Sequence, residues 1–361
     1  MPFSIVIPLY NKEQYVARAI RSVLGQSNQS FELIIVDDGS TDKSVEVVKR
    51  FSDSRIQLIQ QAHAGVSAAR NRGIAHARYD YIAFLDADDQ WKPEFLATIQ
   101  ALSEEFPLAG LYITSYQLMG STDYSIAPRY PHLPTQGVVD EYLCLVEQHE
   151  TIGLISSSVC VPKSVFAQIG GFQEGLHFAE DAFFWLKIAL HYDIVFTDAV
   201  MSIVHREPEG GSDVIGRNRC YDSWEDFLAK NPLNYFEAYL ESLKNDPKAS
   251  TCLSNIIVRS LIDLAIVHII HDKTSLAEAI LRHANQIKPI AHQMIRNRLF
   301  LFCRAVTPNN KAALRRLLAS PYMKNGGLKK KSYQISLLLP KVLWFCALKG
   351  YLTLKKLTEK S

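Results

Sequence analysis

Long uninterrupted apolar runs are missing from this 361-residue chain. The nearest approach, Ile335 to Leu357, is broken by Pro340, Lys341 and Lys349. It falls short of the roughly 20 consecutive apolar residues that a membrane-spanning helix needs. Cysteine is sparse and scattered (Cys144, Cys160, Cys220, Cys252, Cys303, Cys346), with no C-x-x-C pair. That pattern argues against a zinc site or a disulfide framework and for reduced cytosolic thiols. No glycine precedes Gly25, so no glycine-rich phosphate loop follows the first strand. Met1-Pro2-Phe3 enters an apolar strand without a basic segment and a long apolar core ahead of it, so no secretory signal is expected. Residues 324–361 contain no arginine and few aromatics (Tyr333, Trp344, Phe345, Tyr351). Nucleic-acid bases would find little to stack on there, and no nucleic-acid partner is expected.

What is present is an ordinary folded composition, 48% hydrophobic and 21% charged. The length exceeds what one core usually supports, so two domains are expected. A net charge of +2 conceals an asymmetry. Residues 324–361 carry nine lysines and one acid, Glu359, a net +8, which leaves residues 1–323 at −6. A basic end on an acidic body suits an anionic partner, most simply a membrane surface or nucleic acid, the latter disfavoured by the scarcity of aromatics. The tail reads as an amphipathic helix lying on a membrane surface or, alternatively, as a final core helix with a solvated basic face.

The first third alternates strand and helix signals. Ser4–Ile7, Leu33–Val36, Ile56–Ile59 and Tyr81–Leu85 read as strands, and Glu13–Leu24, the stretch around Val45–Val48, Val66–Ala77 and Pro93–Leu102 as helices. Continuous apolar strands alternating with helices predict a mostly parallel, doubly wound sheet covered on both faces. Further on, Leu111–Thr114, Ser156–Val161 and Ile194–Phe196 read as strands and Glu180–Leu190 as a helix. Past Gly216 strand signals fade, and Ile256–Ile270, Ser275–Gln286, Ala291–Phe302 and Lys311–Ser320 read as successive helices. The expected division is residues 1–215, an α/β domain, and 216–361, a helical region ending in the basic tail, with about ten residues of latitude at the boundary.

Two acidic clusters stand where apolar runs stop: Val36-Asp37-Asp38-Gly39-Ser40 and Asp86-Ala87-Asp88-Asp89. Carboxyl ends of strands are where open α/β sheets bind ligands, and clustered carboxylates are hard oxygen ligands for Mg²⁺ or Mn²⁺. Asp86 and Asp88 leave a strand together and can share one ion that bridges phosphate oxygens. The alternative is a polar turn capping the next helix. Asp38 can accept a pyrimidine N–H, and Pro8-Leu9-Tyr10-Asn11 would form the neighbouring wall; both also read as simple β–α loops. Arg70, in an alanine-rich helix, offers a bidentate fork to phosphate or base, or is a solvated helix arginine. Glu180-Asp181 precedes a strongly apolar helix, either as dipole-matched acids or as a carboxylate base held against an apolar wall. His205 is a candidate third metal ligand or phosphate contact, or a structural histidine.

Taken together, from Ser4 to about Ser212, these motifs resemble the inverting family 2 glycosyltransferases of GT-A fold, of the bacterial surface-polysaccharide type. Ile-Pro-Leu-Tyr-Asn at 7–11, Val-Asp-Asp-Gly-Ser at 36–40, Gly-Val-Ser-Ala-Ala-Arg-Asn at 65–71, Asp-Ala-Asp-Asp at 86–89 and Glu-Asp at 180–181 follow in the family's order. The resemblance implies a GT-A domain with a nucleotide-sugar site, a nucleotide-sugar donor (a UDP-sugar foremost) and Mn²⁺ or Mg²⁺. It implies a saccharide or lipid-linked saccharide acceptor on the cytoplasmic side. Pro8, Tyr10, Asp38, Arg70 and Asp86 would hold the nucleotide sugar, Asp88 with His205 the metal, and Asp181 would be the general base. The Gln-x-x-Arg-Trp motif and spanning helices of the family's processive synthases are not found, which implies addition of one sugar or few. Two rivals remain: a sugar-nucleotide pyrophosphorylase, disfavoured by the missing glycine-rich loop, and a non-catalytic nucleotide-sugar-binding protein on the same fold.

Overall fold

The computed structural model describes residues 1–120, 125–126, 132–149, 154–175, 180–206, 233–243, 245–270 and 274–288. The chain divides into two compact units, 1–212 and 213–361. The tail at 324–361 and the helices expected at 291–302 and 311–320 lie outside the described residues, as does the glycine pair at 210–211.

The first unit is built on one mixed sheet. Its described elements are β1 (Phe3–Leu9), α1 (Val16–Leu24), β2 (Phe31–Asp37), α2 (Ser44–Val48), β3 (Ile56–Gln60), α3 (Val66–His76), β4 (Tyr81–Phe84), β5 (Gln90–Trp91), α4 (Phe95–Glu105), β6 (Leu111–Gly120), β7 (Ser125–Ile126), β8 (Gln136–Val138), α5 (Tyr142–His149), β9 (Val159–Pro162), α6 (Lys163–Ile169), α7 (Glu180–Ala189) and β10 (Ile194–Arg206). Strand order is β3-β2-β1-β4-β9-β6-β10-β5, with β7 beside β6 and β8 beside β10. β3, β2, β1 and β4 run parallel. β9 is antiparallel to both β4 and β6, and β6 and β10 are again parallel. The mostly parallel α/β sheet expected of a GT-A fold is thus present, with β9 inserted in reverse.

β2 is buried at every position and β1 at all but Pro8. One face of β1 packs Phe3, Ile5 and Ile7 into a core with Val16, Ala19, Ile20 and Val23, the i, i+3, i+4, i+7 stripe of α1, and with Phe95, Leu96 and Ile99 of α4. The opposite face meets α3. There the approach is so close that a Cβ added to Gly73 would lie 2.4 Å from Cγ1 of Val6. We therefore expect Gly73→Ala to cost about 1–3 kcal/mol by overpacking. A urea midpoint unchanged from wild type would show that α3 can retreat from β1.

The sheet order reverses at β1, where β2 and β3 lie on one side and β4 on the other, and this is the kind of switch point at which open α/β sheets form a crevice. Pro8 sits at its edge. Val6 accepts from Leu85 N–H on the β4 side, at 3.1 Å. Residue 8 faces that same side, two residues on, where β4 has already ended. Its missing N–H therefore leaves no partner unsatisfied.

One expected strand is only partly one. Within Ser156–Val161, the serines Ser156–Ser158 form a 3₁₀ turn, and the strand starts at Val159. Serine hydroxyls offer the backbone local alternatives to a ladder: Ser158 Oγ donates to the carbonyl of Ile155 at 2.9 Å.

Among the described residues the second unit contains α8 (Leu233–Leu240), α9 (Pro247–Ile270) and α10 (Thr274–Ile287). Leu253, Ile257 and Leu261 of α9 and Ile280 and Ala284 of α10 are buried. His283 Nε2 lies 3.0 Å from Glu237, and Lys288 Nζ donates to Asn255 at 2.7 Å. Among the described residues no helix is long and apolar enough to cross a membrane.

Candidate active site

The loops leaving β1, β2 and β4, together with the 156–158 turn and the start of α7, gather the acidic side chains. Asp38 continues the β2 ladder through its N–H, which donates to Leu9 at 2.8 Å. Its carboxylate, only 3% exposed, clasps the loop that leads into α3. It accepts from Gln61 Nε2 at 2.7 Å, Ala64 N–H at 2.9 Å and Gly65 N–H at 2.8 Å, and lies 2.9 Å from His63 Nδ1. A pyrimidine N–H would have to displace one of these partners. The tightness of the turn shows at Gly39, whose φ of 76° suits glycine and where a Cβ would stand 2.9 Å from the N of His63. Tyr10, 42% exposed, stacks on the His63 ring at 4.3 Å.

Arg70 is drawn to the opposite side of the crevice. Only 3% exposed, it donates Nη2 to Asp86 Oδ1 at 2.9 Å and Nη1 to Glu180 Oε1 at 2.8 Å. Among the described residues its ion pairs are with these two carboxylates and not with Asp38. Burial opposes its charge, yet Asp86, Glu180 and Asp181 together outweigh that and hold its pKa above the ordinary guanidinium value. Burial pushes Asp86 upward against the pull of Arg70. Asp181 is pushed up to about 6, first by burial and then by the neighbouring charge of Glu180, with Arg70 opposing. Ser156 Oγ donates to Asp181 Oδ2 at 3.3 Å.

The 156–158 turn also braces the acidic loop after β4. Ser157 Oγ accepts from Asp86 N–H at 3.1 Å and donates to Asp89 Oδ2 at 2.5 Å. Its carbonyl accepts from Trp91 Nε1 at 2.7 Å and Ser202 Oγ at 2.6 Å. Asp89, 5% exposed, also accepts from His205 N–H at 3.1 Å, and burial drives its pKa well above the carboxylate range. Asp88 instead pairs with Lys12, Nζ to Oδ2 at 2.5 Å.

Of the residues expected from the sequence, Arg70, Asp86 and Asp181 therefore fall into one ionic cluster with Glu180. Asp38 and Tyr10 meet around His63, and Pro8 lines the sheet edge between them. Lys12, His63, Ser156 and Ser157 were not singled out by sequence. Their signals, an asparagine–lysine pair at a strand end and a serine run, are too common to mark a site.

The acidic loop supplies oxygen donors only, the chemistry that suits Mg²⁺ or Mn²⁺. Among the described residues no group of three or more His, Cys, Asp and Glu gathers as a metal cage, so Asp88 and His205 do not make one with a third ligand. A Mg²⁺-type ion typically takes one or two carboxylates, with water and substrate phosphate completing its shell. Asp86 and Asp88, 36% and 24% exposed, fit that role.

Comparison with known proteins gives part of this chain a family likeness. Residues 4–133 match the model described as glycosyl transferase family 2. Residues 4–133 are thus similar to a family 2 glycosyltransferase domain. The domain is 41% identical over 114 residues to an uncharacterized glycosyltransferase of Nostoc sp., a match covering 31% of this chain and 35% of the relative. It is 34% identical over 143 residues to TuaG of Bacillus subtilis, named as a candidate teichuronic acid biosynthesis glycosyltransferase, covering 39% of this chain and 56% of TuaG. The chain thus spans 56% or less of the length of these relatives. A crystal structure of residues 1–349 of S. aureus TarS in complex with UDP-GlcNAc shares the fold, with a TM-score of 0.54 and 20% identity over 87% of this chain and 84% of that one. Glu180 and Asp181 lie beyond the stretch matched by the family 2 model.

Proposed function

We propose that the protein is an inverting glycosyltransferase that moves a sugar from a nucleotide diphosphate sugar to a hydroxyl of a saccharide or lipid-linked saccharide in cell-surface polysaccharide synthesis. The observation that carries this reading is the Asp181 carboxylate, raised to about 6 and tied through the Arg70 cluster to Asp86 at the β4 end. A base poised near the working pH is what abstraction of an acceptor proton requires. The TarS complex makes UDP-GlcNAc the first donor to try, and the TuaG likeness supports a surface-polymer acceptor.

In this reading Tyr10 and the loop clasped by Asp38 receive the base. Asp86, fixed by Arg70, sits toward the ribose, and Asp88 turns toward the diphosphate. A divalent ion held by Asp88, with Asp86 beside it, would neutralise charge on the departing diphosphate. Asp181 takes the proton from the acceptor hydroxyl as its oxygen bonds to the anomeric carbon, on the face opposite the leaving group. Attack from that face inverts the anomeric configuration. The basic stretch at 324–361 would keep the enzyme close to anionic lipid on the cytoplasmic side, where a lipid-linked acceptor is presented.

The test is a panel of UDP-, GDP- and TDP-sugars with Mn²⁺, read by melting point and by release of the nucleotide. One UDP-sugar should raise the melting point by mass action and be turned over with inversion at the anomeric carbon. Formation of a nucleotide sugar from a nucleoside triphosphate and a sugar 1-phosphate would replace this reading with a pyrophosphorylase. Binding without any turnover, with or without acceptors, would leave a binding protein.

A further inference from the structure

We propose that Lys12 is a resident cation on Asp88 that a divalent ion must displace, so that metal and nucleotide diphosphate bind together and neither binds well alone. The inference rests on the metal reading above and concerns what this chain places at that locus. Asn11, with a φ of 51°, turns the backbone at the end of β1. Its N–H donates to Ser40 Oγ at 3.0 Å, and its side-chain oxygen accepts from Thr41 N–H at 2.8 Å. The next N–H, of Lys12, donates to Ser44 Oγ at 2.8 Å. The backbone that launches the lysine is therefore pinned to the loop after β2, and the ammonium is aimed across the crevice at Asp88, 2.5 Å away.

The pair is 26% and 24% exposed, more enclosed than the surface ion pairs that contribute little. Arg18 adds a second cation at the same residue by donating to the Asp88 carbonyl oxygen. The rings and stems are shared too: the Lys12 ammonium and the Arg18 guanidinium lie 5.8 and 5.6 Å from the centroid of Tyr15. Asp88 is thereby neutralised in the donor-free protein, and an arriving divalent cation meets positive charge where it needs a carboxylate. A diphosphate changes the balance. It brings negative charge of its own, and a lysine on a flexible four-carbon stem can exchange one anionic partner for another. Lys12 then moves from Asp88 Oδ2 to a phosphate oxygen, and the vacated oxygen becomes a metal ligand.

Coupling of this kind is reciprocal and can be read without catalysis. Free Mn²⁺ is titrated by electron paramagnetic resonance against the full-length protein, with and without UDP. The wild type should bind Mn²⁺ weakly alone and at least tenfold more tightly with UDP. Lys12→Met should bind Mn²⁺ about tenfold more tightly without UDP, and UDP should then improve Mn²⁺ affinity correspondingly less. Lys12→Arg keeps the cation and should behave as the wild type, which separates displacement from a general disturbance of the loop. Lys12→Gln supplies a second neutral variant should the methionine misfold. Wild-type cooperation between Mn²⁺ and UDP with Lys12→Met and Lys12→Gln no tighter for Mn²⁺ alone overturns the role of Lys12 and leaves the metal reading standing. A wild type that takes up no Mn²⁺ even with UDP overturns both.

Discussion

Asp181→Asn should lower transfer by about 10²–10⁴-fold, the usual contribution of a general base, while leaving donor binding intact. The same substitution should make the folded protein more stable at pH 8. Both effects have one cause, the enclosed position that lifts the Asp181 carboxyl from 3.8 to about 6. The native state holds the proton more tightly than the unfolded chain. Between about pH 4 and 6 the unfolded chain has lost it and the native state has not, so stability falls as pH rises through that window. Above pH 6 the full cost of the buried charge is present. The asparagine variant escapes that cost, of order 1 kcal/mol after allowing for partial solvent screening of a half-buried group. Its melting point should therefore exceed the wild-type value at pH 8 and match it at pH 4. The wild-type rate should climb through pH 6 and level off above it. Transfer by Asp181→Asn at near wild-type rate would remove the carboxylate from the mechanism. Equal melting points at pH 8 would mean that Asp181 is not held as a costly charge.

The parts of this architecture that were legible in the sequence share a physical property. β1, β2 and β4 are buried on both faces, so they read as continuous apolar runs that stop at Asp37, Asp86 and their neighbours. The α1 stripe was equally plain because one face meets the core. What could not be read depends on partners distant in sequence. β9 lies reversed between β4 and β6, and nothing within Val159–Pro162 encodes that direction. Ser156–Ser158 resemble strand residues in sequence because their value lies in hydrogen bonds to Asp181, Asp89, Asp86 and Trp91, spanning 25 to 71 positions. The guanidinium fork of Arg70 is plain in sequence, but the anions on that fork are 16 and 110 residues away. The acidic residues were visible as a set. Their division into a loop clasp at Asp38 and an ionic cluster at Asp86 was not, because local sequence carries no record of which cation each carboxylate will meet.

Replacing Arg70 is expected to destabilise the first unit strongly. The guanidinium is 3% exposed and is the bridge between Asp86 and Glu180, with Asp181 close enough to feel its charge. Removing one member of a buried ion pair leaves the others uncompensated, at a typical cost of 3–5 kcal/mol. For Arg70→Met we expect about 3 kcal/mol at pH 7, because Asp86 remains partly open to water. The loss should shrink toward pH 4, where the stranded Asp181 carboxyl, raised to about 6 by burial, takes up its proton and no longer repels its neighbours. Glu180→Gln alone should cost less, and the double variant Arg70→Met/Glu180→Gln should recover part of the loss, so that its cost at pH 7 falls below the sum of the two single costs. Catalysis offers a second reading of the same charge. Arg70 lowers the Asp181 pKa against burial and Glu180, so its removal should move the rising limb of the pH–rate profile above 6. A merely structural arginine would destabilise the fold and leave that limb where it was. Urea unfolding at pH 4 and 7 together with a pH–rate profile decides between them, and a loss under 1 kcal/mol at pH 7 with an unmoved limb would show that Arg70 neither compensates these carboxylates nor tunes the base.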